Sequence, residues 1–134
     1  MTENERKVFD IHLHKEEMLK IEFDITGLLL QEEIVRNIVK QNKWKQICIY
    51  GGGQLGIEAY FSFKRFVDVV GIADRSGGLI IPCKNINVFT PEKLSDIYTD
   101  LPVIITPQKY LKEIYNDLEN KIDKGRIYLI NELF

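Results

Sequence analysis

The run Gln46-Ile47-Cys48-Ile49-Tyr50, broken by Gly51-Gly52-Gly53, constrains this chain more than any other feature. A short apolar, β-branched run that stops at glycine reads as a parallel strand buried on both faces. The mostly apolar stretch from Leu55 to Phe66, ending in Lys64-Arg65, reads as a helix packed on that sheet. Val67 to Ala73 is a second strand ending at Asp74-Arg75, followed by the turn cluster Ser76-Gly77-Gly78. Ile86 to Phe89 makes a short third strand. Thr90-Pro91-Glu92-Lys93 then resembles a helix start, with Thr90 as N-cap and Pro91 in the first turn. The device recurs after the strand Val103-Ile104-Ile105, where Thr106 is a candidate cap and Pro107 opens a helix. Tyr110, Ile114, Leu118 and Ile122 form its apolar stripe, with Leu111 and Tyr115 beside them and Lys112, Glu113 and Asp117 opposite. Gly125 breaks that helix, and Ile127 to Ile130 is a last strand. Strands alternating with helices require a parallel sheet, because each crossover helix must cover a sheet face.

Upstream of residue 45 the pattern is less decisive. Leu30, Ile34 and Ile38, with Val35 and Val39, form a helical stripe leading into the first strand. Phe9, Ile11 and Leu13 alternate with polar residues, as do Leu19, Ile21, Phe23 and Ile25, which suggests a two-stranded hairpin around Lys15-Glu16-Glu17. A single helix from Glu16 onward is the competing reading. With 134 residues the chain has room for one domain, read as an arm and leading helix over 1–44 and an α/β unit over 45–134.

Chemistry concentrates in Gly51-Gly52-Gly53-Gln54-Leu55-Gly56, which satisfies G-x-G-x-x-G between a strand and a helix. In such a loop Gly51 permits the tight turn, Gly53 lets a pyrophosphate approach the backbone, and Gly56 lets helix and strand pack closely. The N–H groups at Gln54 and Leu55 open the helix, where its dipole favours an anion. Asp74 ends the second strand at the spacing from which a carboxylate reaches a ribose hydroxyl pair. Arg75 beside it could accommodate a 2′-phosphate, which Asp74 would repel, so NAD and NADP both stand as cofactors. The plainer reading is a tight turn and a solvated strand end. Thr106 ends the fourth strand facing the same crevice, as ligand contact or as helix cap.

The segments QICIYGGGQLGIEAYFSF, VDVVGIADRS, INVFTPEKL, LPVIITPQKYLKEIYNDL and RIYLINELF together resemble the Rossmann-like nucleotide-binding modules of surface-polysaccharide biosynthesis and nucleotide-sugar enzymes. CoA-binding domains are similar. The resemblance spans about residues 45–134 and implies a five-stranded sheet of order 3-2-1-4-5 with a nucleotide site at its switch point. The matching positions are Gly51, Gly53, Gly56, Asp74 and Thr106-Pro107. It implies NAD(P) or a nucleoside-diphosphate sugar as ligand, in or beside nucleotide-sugar or cell-surface polysaccharide metabolism. The alternative is a non-catalytic interaction or dimerisation module, as a homodimer or beside a partner enzyme in a biosynthetic complex.

Other signals carry less. Tyr60 and Lys64 match the Tyr/Lys spacing of short-chain dehydrogenases, but they lie on the helix that carries the glycine loop and so cannot reach a nicotinamide. His12 and His14 lack a third ligand at metal-binding spacing, so no metal is expected. Cys48 and Cys83 are too few for a disulfide framework, and Cys48 reads as a buried thiol. A net charge of −2 with mixed signs argues against a nucleic-acid partner. The charged opening Met1 to Lys7 has no apolar core behind it, and no apolar run approaches a bilayer span. No membrane association and a cytoplasmic setting are the expectation.

Overall fold

A computed structural model describes Thr2 and residues 15–75, 86–106 and 110–134. Helices α1 (Lys15–Leu29) and α2 (Glu32–Asn42) precede strand β1 (Gln46–Tyr50). Helix α3 (Gln54–Lys64) crosses to β2 (Asp68–Ala73), and β3 (Val88–Phe89) leads through the one-turn α4 (Lys93–Asp96) to β4 (Val103–Ile105). Helix α5 (Leu111–Glu119), a 3-10 turn (Lys124–Arg126), β5 (Ile127–Leu129) and α6 (Ile130–Leu133) complete the chain. All five strands are parallel, in the order β3-β2-β1-β4-β5. This is the Rossmann-like α/β sheet that the sequence pattern implies.

Side chains alternate across β1 and divide the core. Ile47 and Ile49 pack with Ile72 and Ile104 beneath Leu29, Val35 and Phe63. Cys48 and Tyr50 face the other way, with Val103 and Ile105 beneath Leu94, Leu111 and Leu118. A strand alternates faces at each residue, so one run of apolar residues feeds both layers. The β1–β2 register shifts between Ile47 and Ile49, and Gly71 sits in the extra length of β2 with a φ of 157°. A Cβ there would stand 2.4 Å from the Asn87 carbonyl oxygen, so glycine is what lets the short β3 pair at this bulge.

The N-terminal segment corrects the hairpin reading. Leu19 to Ile25 lies in helix α1, while His12, His14 and the run Phe9 to Leu13 fall outside the described residues, as do Cys83 and the turn at residues 76–78. A strand would place Phe23 and Ile25 on one face. Instead Ile25 and Leu29, four apart, are buried in the core, and Phe23 is 79% exposed. Arg65, just beyond α3, fixes the α1–α2 turn by donating to the Leu29 carbonyl (3.2 Å) and to Glu32 (3.1 Å). Thr26 Oγ1 donates to Glu58 Oε2 at 2.9 Å, tying α1 to α3. Helices α1 and α2 are thereby part of the same core as the sheet.

The predicted Thr90 cap is also corrected, and the helix start predicted at Pro107 lies outside the described residues. Helix α4 begins at Lys93 with Glu92 at its cap position, after a turn through Pro91. Helix α5 begins at Leu111 with Tyr110 as its N-cap residue, held at φ 62°. Tyr110 is therefore 55% exposed instead of in the buried stripe, while Leu111, Ile114, Tyr115, Leu118 and Ile122 are buried as expected.

Candidate functional site

The order β3-β2-β1-β4-β5 reverses direction beside β1, so the carboxyl ends of β1 and β4 open a crevice. Sheets of this kind receive ligands at that point. The glycine loop leaves β1 there. Gly51 has φ 113°, a conformation that side-chain-bearing residues rarely adopt, and its N–H donates to the Ala73 carbonyl at 2.8 Å. Gly53 is the N-cap residue of α3, in extended backbone, and its carbonyl accepts from the Ile57 N–H at 3.0 Å.

Gly56 and Gly53 differ in what surrounds them. A Cβ on Gly56 would lie 1.8 Å from the Gly51 carbonyl oxygen and 3.2 Å from Thr106 Oγ1. The first turn of α3 thus rests directly on the loop. A Cβ on Gly53 would meet none of the described residues within 4 Å. The open side of Gly53 belongs to a cleft of about 310 Å³ lined by Tyr50, Gly51, Gly52, Gly53, Asp74 and Arg75, with Tyr110 and Ile114 of the α5 region opposite. The first N–H groups of an α-helix lack intrahelical partners, so the start of α3 presents donors and the positive end of its dipole at the loop.

Asp74 is drawn into the loop itself. Its Oδ2 accepts from the Gly52 N–H at 2.8 Å, and its own N–H donates to the Phe89 carbonyl at 2.9 Å. The carboxylate at the end of β2 therefore fixes the path of the glycine turn as well as lining the cleft. Arg75 pairs with Asp117 of α5, joining the two walls. Burial pushes the Tyr50 hydroxyl above its ordinary pKa, opposed by hydrogen bonding to Arg75 and by its positive charge, so at neutral pH Tyr50 presents a protonated phenol. Thr106 is buried behind the loop, where its N–H and Oγ1 both donate to the Tyr50 carbonyl, at 3.0 and 2.9 Å. That bond ties the end of β4 to the end of β1. Residues 107–109, which Thr106 would cap, lie outside the described residues.

The structure thus brings Gly51, Gly53, Asp74 and Arg75 to one cleft, with Gly56 and Thr106 packed behind it and Gln54 and Leu55 opening α3. Sequence reasoning missed Tyr110 and Ile114 as cleft walls. The sequence pattern puts both in one buried stripe, whereas Tyr110, held at φ 62° just before α5, is exposed. Tyr60 and Lys64 contact each other, the Lys64 ammonium lying 5.3 Å from the ring centroid, and neither lines the cleft. Among the described residues there is no cluster of His, Cys, Asp or Glu able to hold a metal ion, and no helix is long and apolar enough to cross a membrane. No protein-family profile, curated protein or solved structure matches the chain.

Proposed function

We propose that the chain binds a nucleotide at the glycine loop, either NAD(P) or a nucleoside-diphosphate sugar, in or beside nucleotide-sugar or cell-surface polysaccharide metabolism. The contrast between the two glycines carries this reading. Gly56 is small because the fold behind it leaves no room, whereas among the described residues nothing requires Gly53 to be small. Its bareness serves a group arriving from the cleft, at a helix start suited to phosphate. Asp74 stands where it would accept from ribose hydroxyls, and Tyr110 and Ile114 offer a partly apolar wall for a base. A volume of about 310 Å³ suits the nucleoside end of such a ligand. NAD is favoured over NADP, because Arg75 is engaged by Asp117 and Asp74 would repel a 2′-phosphate. The reading assigns binding and no reaction to the chain.

The test is a melting-temperature series of the whole chain with NAD, NADP and a uridine-diphosphate sugar, repeated for Gly53→Val. One nucleotide should raise the wild-type Tm, since a ligand that binds only the folded state stabilises it. Gly53→Val should stay folded, melting at most a few degrees below the wild type because valine is a poorer N-cap, and show no rise with ligand. A rise that survives in Gly53→Val removes the loop from the site.

A second reading, an interaction or dimerisation module, draws on the exposed apolar residues Phe23 (79% exposed) and Leu30 (75%) at the N-terminal helix. The two readings are compatible, because this surface and the glycine loop are formed by different elements.

A further inference from the structure

The opposite end of the sheet carries a second concavity. Its volume is about 630 Å³, and it lies where α2 feeds β1 and where α3 feeds β2. Arg36, Lys40, Lys43, Lys45 and Arg65 stand around a floor of Val39, Trp44 and Phe66, and among the described residues no acidic one lines it. Arg65 is neutralised by Glu32 at 3.1 Å. Among the described residues, Arg36, Lys40, Lys43 and Lys45 have no acidic partner, and all four are exposed.

Structural needs account for part of this cluster. Val35, Ile38 and Val39 bury one face of α2, which sends Arg36, Lys40 and Lys43 to the outer side. Cations near a helix C-terminus also complement its dipole, which suits Lys40 and Lys43. That leaves Arg36, two turns earlier, and Lys45, on the approach to β1. Arg36 is held in place: its guanidinium lies 5.1 Å from the Phe66 ring centroid, and Arg65 lies 5.3 Å from the same ring. A stacked guanidinium is pre-oriented to pair its N–H edge with a carboxylate.

We propose that this basic groove docks an acidic peptide segment of a partner protein. Charge complementarity selects the class, and the aromatic residues narrow it. Single-stranded nucleic acid needs free rings on which bases stack. Here Phe66 is engaged by two arginines, and Trp44 is buried, packed edge-on against Tyr128 at 5.0 Å. The chain holds 18 Lys and Arg against 20 Asp and Glu, so the surface away from the groove is net acidic and repels a long polyanion. A short acidic segment needs only the groove. Asp100 stands in the adjoining depression with Pro102 and bounds the basic surface on that side. The groove and the glycine loop lie at opposite ends of β1, so this proposal is independent of the nucleotide reading.

The experiment uses the whole chain and its Arg36→Glu/Lys40→Glu variant, two exposed positions whose replacement leaves the core intact. Anisotropy is measured with a fluorescein-labelled peptide of alternating Glu and Asp, its Gln/Asn counterpart, a thymidine oligonucleotide of similar length, and phosphatidylserine vesicles. The acidic peptide should bind, weaken as salt rises, and bind the variant about tenfold or more weakly, while the amide peptide fails to bind. Gly53→Val should bind the acidic peptide as the wild type does. Equal affinity of wild type and variant overturns the proposal. Tighter binding of the oligonucleotide or the vesicles reassigns the groove to those partners, and a salt-sensitive dimer abolished in the variant reassigns it to a second copy of this chain.

Discussion

Two substitutions separate packing from binding at the scale of single residues. Gly56→Ala drives a methyl group to within 1.8 Å of the Gly51 carbonyl oxygen, so helix and loop must move apart. Overpacking of this kind typically costs about 1–3 kcal/mol, and urea unfolding should show Gly56→Ala destabilised by that order. Asp74 divides its work in a second way. Asp74→Ala leaves the Gly52 N–H without its 2.8 Å acceptor and should cost about 1–3 kcal/mol of stability. Asp74→Asn keeps an oxygen for that bond and loses the charge. It should melt close to wild type while narrowing the preference for NAD over NADP in calorimetric titration. An unchanged preference would remove the Asp74 carboxylate from ribose recognition. The glycine spacing and Asp74 were legible in the sequence because a tight turn and a strand end constrain residue type directly. That Asp74 also braces the loop was not, since a hydrogen bond across 22 positions leaves no mark in local pattern.

At the scale of elements, β1 holds a sensitive probe of the sheet. Cys48 is fully buried between β2 and β4, and burial pushes its thiol from an ordinary 9.0 up to about 12. The folded chain keeps this proton where the unfolded chain has lost it. Cys48 therefore contributes stability that is fully present below about 9 and is lost as pH rises toward about 12. Each unit in that window is worth about 1.4 kcal/mol from this group. Urea unfolding across the window should show the wild type losing more stability than Cys48→Val, and identical losses would place the thiol in contact with water. The strands were legible because short β-branched runs bounded by glycine or a charged residue have few other uses. The N-terminal helix was not, because Leu19, Ile21, Phe23 and Ile25 alternate by chance while Ile25 and Leu29 carry the buried stripe. The bond from Thr106 back to β1 was not legible either, because a contact across 56 positions leaves no mark in the local pattern.

For the whole molecule, the sheet places two concave surfaces at its two ends. The exposed Phe23 and Leu30, seven positions apart, mark the surface on which a second copy would pair. Sedimentation of the wild type should show a dimer that Phe23→Ser/Leu30→Ser converts to a folded monomer. A wild type that remains monomeric at high concentration would discard the dimerisation reading and leave the glycine loop untouched. The most direct test is an amide-resolved NMR titration of the whole chain with NAD and, separately, with a uridine-diphosphate sugar. The account predicts saturable shifts centred on the amides of Gly51 to Leu55 and on Asp74 and Tyr110, with Arg36 to Lys45 unmoved. Absence of saturation with both ligands, or shifts centred on the basic groove at the other end of β1, would contradict it.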